Sequence, residues 1–149
     1  MKSKVVILKT SPKNYNKDVT KLLHLANYTK HVKKKNTTLI KLNLSWSLFY
    51  PACSTPPWQL DALLNTMTCD GYKKIIPVEN KTVVTKPWKG AEQNKWINVL
   101  NKYKLAFKPL TDVKWVKYKP RHELLALDKI FPDGHKIPQM FKNKKVFIA

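Results

Sequence analysis

Short apolar runs alternate with stretches of helical periodicity along this chain. Residues 5–8, VVIL, are continuously apolar between lysines, which predicts a buried, central strand of a parallel sheet. Apolar or β-branched composition predicts further strands at residues 37–44, 74–78, 105–107, 113–119 and 146–148. The strand at 113–119 alternates lysines with apolar side chains and is expected to be exposed.

Helical spacing of apolar residues separates these runs. Val19, Leu22, Leu23 and Ala26 predict a first helix over residues 15–29. A second helix is predicted to begin at Pro57, with Ser54 or Thr55 as its N-cap, and to end at Gly71. A third is predicted from about residue 91 to residue 103, after a turn at residues 86–90.

This alternation predicts an α/β fold in three layers, a mainly parallel sheet with helices on both faces. The 149 residues and their 43% apolar content fit one domain over residues 1–149. Pro77 requires an edge, an end or a bulge in its strand, and residues 124–131 are apolar enough to be buried. A strand at the very end, with no helix to cover it, indicates a truncated or split domain.

Polar residues follow the second and third predicted strands. Lys41 and Asn43 have the same parity, so they are expected to point to one side while Leu42 and Leu44 face the other. A cation and an amide at the carboxyl end of a parallel strand predict an anion site, although a solvent-facing edge explains them equally well. The predicted ligand-binding residues are Lys41, Asn43, Ser45, Thr55, Glu79 and Asn80.

The charge balance favours anionic partners. Lysine and arginine number 29 against 9 acidic residues, a net charge of +20. RNA is one such partner, yet a lysine-rich and asparagine-rich composition is also typical of AT-rich codon usage. Arg121 is the only arginine, which favours diffuse attraction to a nucleic-acid backbone over geometric readout. Trp115 and Tyr118 among lysines resemble a stacking surface, although an amphipathic edge strand explains them more simply.

No catalytic residue, metal site or cofactor is predicted. Cys53 and Cys69 lie sixteen positions apart, without histidines at metal-ligand spacing, and are expected to be packed, reduced thiols. The chain contains no glycine-rich phosphate loop and no nucleophile elbow, so whether it is an enzyme stays open. No apolar run approaches the roughly 20 residues that span a bilayer. A soluble intracellular protein, of the cytoplasm or an organelle matrix, is expected.

Six segments resemble, in order, the amino-terminal half of a bacterial and archaeal family called domain of unknown function 362. They are KTSPKNY, TTLIKLNLSW, YPACSTPPWQLDALL, DGYKKIIPVENKTVV, WVKYKPRHELLALDKIFPDGHKIPQM and KNKKVFIA. The resemblance implies an α/β fold, sometimes joined to an iron-sulfur module, with no general reaction established. By this resemblance, the polar residues at the family's strand ends correspond to Lys41, Asn43, Ser45, Glu79 and Asn80. The family's threonine and proline before the second helix correspond to Thr55 and Pro57.

Two departures from the family affect the functional expectation. Family members continue into a second half, so a second polypeptide is expected to supply a missing carboxy-terminal half. The cysteine cluster of the iron-sulfur module is absent from this sequence. The expected function is therefore an anion-binding or small-ligand-binding domain, incomplete or non-catalytic. The alternative is a basic, RNA-associated structural subunit of a ribonucleoprotein assembly.

Overall fold

The computed structural model describes residues 4–122, 124–142 and 146–148. Its helices are α1 (Tyr15–Leu25), α2 (Tyr28–His31), α3 (Pro57–Cys69), α4 (Pro87–Gln93), α5 (Trp96–Lys102) and α6 (Leu127–Ile130). Its strands are β1 (Thr37–Lys41), β2 (Ile75–Glu79), β3 (Lys108–Pro109), β4 (Trp115–Tyr118), β5 (His135–Pro138) and β6 (Val146–Ile148). Short 3-10 turns cover Leu110–Asp112 and Gln139–Lys142.

The main sheet has four parallel strands in the order β3-β2-β1-β6. Strands β4 and β5 form a separate antiparallel hairpin. The predicted α/β class and the mainly parallel sheet are therefore confirmed. No helix of the described residues is long and apolar enough to cross a bilayer.

One face of the sheet packs against α-helices. Ile40, Leu42 and Leu44 are buried there against Leu60 and Leu64 of α3 and against Trp96 and Leu100 of α5. The apolar side chains of α3 supply much of this core, since each fully buried aliphatic side chain stabilises the fold by about 1.5–3 kcal/mol. Gly90 lets α4 approach closely, because a Cβ at that position would lie 2.5 Å from both methyl groups of Leu44.

The other face of the sheet has a smaller core. Leu39 and Val78 are buried there against Leu110, with Met140 and Phe141 packed around them. These neighbours belong to the two 3-10 turns, and no α-helix residue of the described chain joins this cluster. Helices on both faces, the three-layer part of the expectation, therefore stay a prediction.

The predicted central strand at residues 5–8 is wrong. This segment has no regular structure, and Val5 and Ile7 are 80% and 90% exposed. Strand β6 pairs with β1 on the side away from β2 and forms one edge of the sheet. The apolar composition of residues 5–8 therefore predicted a strand that does not form, and the strand beside β1 is β6.

Two predicted helices are each divided by a residue in the left-handed conformation. Asn27, with φ 55°, separates α1 from α2, and Lys95, with φ 61°, separates α4 from α5. Asparagine adopts this conformation readily, whereas the exposed Lys95 adopts it between two buried residues, Asn94 and Trp96. The turn predicted at residues 86–90 is wrong, because α4 begins at Pro87.

Pro77 lies in β2, which is an internal strand of the sheet and not an edge strand. The carbonyls of Lys74 and Val78 accept hydrogen bonds from β1, from Thr38 N at 2.8 Å and Leu42 N at 2.9 Å. Backbone groups alternate sides along a strand, so Pro77 faces away from β1, toward β3. Because β3 pairs only with Val78 and Glu79, the missing N–H of Pro77 interrupts no ladder there.

The carboxy-terminal third departs furthest from expectation. Residues 124–131 are not buried: Leu125, Ile130 and Phe131 are 83%, 63% and 50% exposed around the short helix α6. The strand predicted at 105–107 begins later, as β3. The exposed strand at 113–119 is confirmed as β4, and the last strand at 146–148 is confirmed as β6.

Two aspartates connect helices that are distant in the sequence. Asp61 on α3 accepts hydrogen bonds from Lys102 Nζ at 2.8 Å and from the Tyr103 hydroxyl at 2.7 Å. Asp70 accepts one from Tyr28 and lies 2.8 Å from His24 Nε2. Although partial burial raises the pKa of each carboxyl, these hydrogen bonds lower both pKa values overall, below the ordinary 3.8. Burial and the Asp70 hydrogen bond raise the pKa of the Tyr28 hydroxyl well above its usual range.

Asp70→Asn is expected to destabilise the fold at neutral pH by about 1–2 kcal/mol, because it removes a charged acceptor of two hydrogen bonds. A lowered carboxyl pKa adds stability above pH 3.8 that is lost as the pH falls through the folded value. Urea denaturation at about pH 7 and pH 3 should therefore show that the free energy of unfolding falls less in the variant than in the parent. The exposed Asp133→Asn is the control, and an equal acid loss in parent and Asp70→Asn would contradict the role of Asp70.

Candidate functional site

The six predicted ligand-binding residues lie at or just after the carboxyl ends of β1 and β2. These strands are adjacent and parallel, with Ile40 opposite Pro77 and Lys41 opposite Val78, so their carboxyl ends meet at one sheet edge. This edge is where α/β sheets place ligands. As predicted, Leu42 and Leu44 are buried on the helix-covered face, while Lys41 and Asn43 are exposed.

Lys41 and Glu79 form an ion pair at this edge. The Nζ of Lys41 lies 2.5 Å from Glu79 Oε1, and it also donates to the Leu42 carbonyl at 2.8 Å. The Glu79 side chain is only 4% exposed, whereas that of Lys41 is 43% exposed. Lys41 is therefore the counterion of a buried carboxylate, and its exposed side reaches solvent. The sequence placed both residues in one site without predicting that they pair.

Two buried acceptors at this edge have no hydrogen-bond donor among the described residues. They are Glu79 Oε2 and Asn80 Oδ1. The other carboxylate oxygen of Glu79 accepts from the Asn80 backbone N–H at 2.6 Å as well as from Lys41. Buried acceptors are nearly always paired, so this side of the site is chemically suited to a group that donates hydrogen bonds.

Asn43 and Thr55 close the long loop between β1 and α3. The Asn43 N–H donates to Thr55 Oγ1 at 2.9 Å, and the Thr55 N–H donates to the Asn43 carbonyl at 2.9 Å. The Thr55 carbonyl accepts from Trp96 Nε1 at 2.7 Å, which fixes the loop to α5. Thr55 is thus used for loop closure rather than for capping.

The remaining polar side chains of the loop are also engaged with its backbone. Ser45 Oγ donates to the Cys53 carbonyl at 2.6 Å, and Asn43 Nδ2 lies 3.3 Å from the same oxygen. Ser54 Oγ accepts from the Ser45 N–H at 3.3 Å. The predicted N-cap is therefore wrong at both Ser54 and Thr55: Pro56 occupies the N-cap position, and Pro57 is the first helical residue as predicted.

A small cavity of about 160 Å³ adjoins this network. Its lining includes Lys41, Thr55 and Gln59, together with apolar side chains of β1 and α3. Ligand sites for whole drug-sized molecules measure roughly 300–1,000 Å³, so this cavity matches a single carboxylate or phosphate group. A larger concavity of about 450 Å³ between Tyr15 and Trp58 has no charged residue in its lining.

Exposed apolar side chains follow the same two strands. Trp46, Leu48, Phe49 and Tyr50, in the loop after β1, are each about half exposed, between 48% and 52%. The loop after β2 exposes Val83 and Val84, and Trp88 in the first turn of α4 is 50% exposed. Ser47 Oγ accepts from the Lys86 N–H at 2.6 Å and so connects the two loops. This second apolar group was not predicted from the sequence, although residues VV at 83–84 beside KPW were its signal.

The cysteines are not packed as predicted. Cys53 and Cys69 are free thiols, and both are exposed. Cys53 lies in the turn of the β1–α3 loop, which directs its side chain outward while its carbonyl binds Ser45. Within the described ranges, no three histidine, cysteine, aspartate or glutamate residues are close enough to hold a metal ion.

In comparisons with known proteins, no family model, no curated protein and no solved structure matches the chain. The resemblance to the domain of unknown function 362 therefore stays a prediction.

Lys41→Ala is expected to lower the free energy of unfolding by about 2 kcal/mol, because it leaves the buried Glu79 carboxylate without a counterion. The effect is smaller than the loss of a fully buried pair since Lys41 is partly exposed. Urea denaturation at neutral pH measures it. Lys74→Ala, an exposed lysine before β2, is the control and should change stability by less than about 0.5 kcal/mol.

Adding Glu79→Gln to Lys41→Ala should restore most of the lost stability, because the uncompensated charge is then removed. If the double variant is as unstable as Lys41→Ala alone, the ion pair does not account for the effect.

Proposed function

We propose that this chain binds a small organic anion at the carboxyl ends of β1 and β2. The observation that carries the proposal is the juxtaposition of one partly exposed cation, Lys41, with two buried and unpartnered acceptors, Glu79 Oε2 and Asn80 Oδ1. A ligand that pairs an anionic group with a hydroxyl or amino group would complement both halves of this edge.

The anionic group of the ligand would contact Lys41. A lysine ammonium has three donors, and two of them are used by the Leu42 carbonyl and Glu79. The third is available to a ligand oxygen. The first turn of α3 borders the cavity of about 160 Å³ beside Lys41, and no side chain caps this helix. The positive end of the helix dipole therefore adds to the attraction between Lys41 and the anion.

The donor group of the ligand would contact the acceptors after β2. Glu79 Oε2 is buried in the free protein, so the site must open for a hydroxyl or ammonium group to reach it. The contact would then satisfy a buried charged oxygen, which is favourable because unpaired buried acceptors cost about 1–3 kcal/mol. The half-exposed Trp46, Phe49 and Tyr50 supply apolar surface along the loop that contains Asn43 and Ser45. Asn43, Ser45 and Thr55 support the site by holding that loop.

We also propose that the chain is related to the domain of unknown function 362, a resemblance that points to the same six residues. In that family the polar strand ends belong to a longer protein. A second polypeptide that completes the site, and helices that cover the second face of the sheet, are further parts of this proposal. The apolar side chains exposed on the loops after β1 and β2 support the second polypeptide.

The ligand proposal is tested by calorimetric titration with inorganic phosphate, acetate and the 2-hydroxycarboxylate lactate. Lactate is expected to bind more tightly than acetate, because only lactate adds a donor to its anionic group. The double variant Lys41→Met and Glu79→Gln removes both charges together and avoids an uncompensated one. It should weaken binding on the order of 10-fold to 100-fold, the equivalent of one charged hydrogen bond.

Lys74→Met provides the matched control, since it removes an exposed lysine from the opposite end of the same strand pair. Its affinity should equal that of the parent. If the double variant binds all three anions as the parent does, or if Lys74→Met weakens binding equally, the proposed site is wrong.

A further inference from the structure

The β4–β5 hairpin lies outside the site described above and has a fixed register. Trp115 is opposite Pro138, and Lys117 is directly opposite Lys136. Directly opposed residues share one face of an antiparallel pair, and so do residues two apart on one strand. One face of the hairpin therefore carries Trp115, Lys117 and Lys136 together.

The two opposed lysines repel each other in the free protein. Both are exposed, and neither forms an ion pair within the described part of the chain. Like charges directly opposite one another destabilise a strand pair. Neighbouring phosphate groups of one strand, one against each ammonium group, would turn this repulsion into two attractions.

Trp115 adds an aromatic surface beside the lysine pair. Trp115 as a whole residue is 39% exposed, and its Nε1 donates to the Leu110 carbonyl at 2.7 Å, which holds the ring in place. A fixed, partly exposed indole next to cations is the combination with which proteins bind single strands, by stacking bases and contacting phosphates. Lys114 and Lys119, also exposed, extend the positive charge at both ends of β4.

The carboxylates around the hairpin offset this charge only in part. Asp128 accepts from the Leu124 N–H at 2.7 Å and lies 3.1 Å from His135 Nε2, so it is already engaged. Asp133 lies in the turn before β5 and borders, with Lys117 and Lys119, a cleft of about 680 Å³. Asp112, before β4, is exposed and accepts a hydrogen bond from Trp88 Nε1 at 3.2 Å. Four exposed lysines, Lys114, Lys117, Lys119 and Lys136, lie on the hairpin and its flanks.

We propose that the β4–β5 hairpin binds the sugar-phosphate backbone of single-stranded nucleic acid, with Lys117 and Lys136 on a shared phosphate segment and Trp115 against a base. This binding site is independent of the small-anion site. An acidic protein would also attract the lysines, but it would not require an exposed indole beside them. Arginine forks are absent from this face, so the contact is expected to be insensitive to base sequence.

The experiment is fluorescence anisotropy with oligouridylate and oligothymidylate of roughly 12 nucleotides, within the site sizes of single-strand binders. Affinity is measured over a range of salt concentrations. The double variant Lys117→Gln and Lys136→Gln should weaken binding on the order of tenfold at about 0.1 M salt. It should also reduce the slope of log affinity against log salt by about 1.4, which is 0.7 for each lost phosphate contact.

Lys17→Gln with Lys21→Gln is the matched control, because it removes two exposed lysines from α1 and the same net charge. It should leave the slope within experimental error of the parent value. Binding of RNA alone, or of both RNA and DNA, supports the proposal and identifies the polymer. Equal losses in the two double variants would mean diffuse attraction to the whole surface and would overturn the proposal, as would the absence of binding to either polymer.

Lys117→Glu separates binding from folding. It places opposite charges across the hairpin, so the melting temperature should stay the same or rise while the affinity for the oligonucleotide falls. A variant that keeps the parent affinity would exclude Lys117 from the contact.

Discussion

The parallel pairing of β1 with β2 is the constraint on which the rest of the structure depends. It sets Lys41 beside the end of β2, where the buried Glu79 requires a counterion. A different register would leave that carboxylate desolvated and unpaired, at a cost of several kcal/mol. The same pairing brings the two following loops to one sheet edge, where the Ser47 hydroxyl connects them. The strand pairing that forms this part of the sheet therefore also brings the candidate site residues together.

The few acidic residues have a disproportionate structural role. Four of the nine, Asp61, Asp70, Glu79 and Asp128, pair with a basic side chain among the described residues. Two of these pairs connect helices, and the Glu79 pair connects the ends of the two central strands. Because carboxylates are scarce, most lysines have none to pair with, and the surface potential stays positive. That excess charge is the common physical basis of both proposed binding sites.

Local sequence rules succeeded where one interaction dominated. Pro57 begins its helix because its missing N–H and fixed φ suit the first position, and Gly71 follows that helix with φ 85°. Lys41 and Asn43 point to the side opposite Leu42 and Leu44 because successive side chains of a strand alternate between its two faces. Such rules failed where strand composition was not matched by strand pairing. Residues 5–8 have strand composition, yet β6 occupies the position beside β1.

By itself, the sequence determined the α/β class, the parallel strands, the beginning of α3 and the sheet edge at which polar residues collect. These features follow from periodicity, proline geometry and parity, which act over a few residues. Only the tertiary structure decided that Lys41 neutralises Glu79, that Thr55 closes a loop instead of capping a helix, and that Lys117 faces Lys136. Each of these outcomes depends on partners that are 12 to 38 positions away, and pairing over such distances is set by chain topology rather than by local propensity.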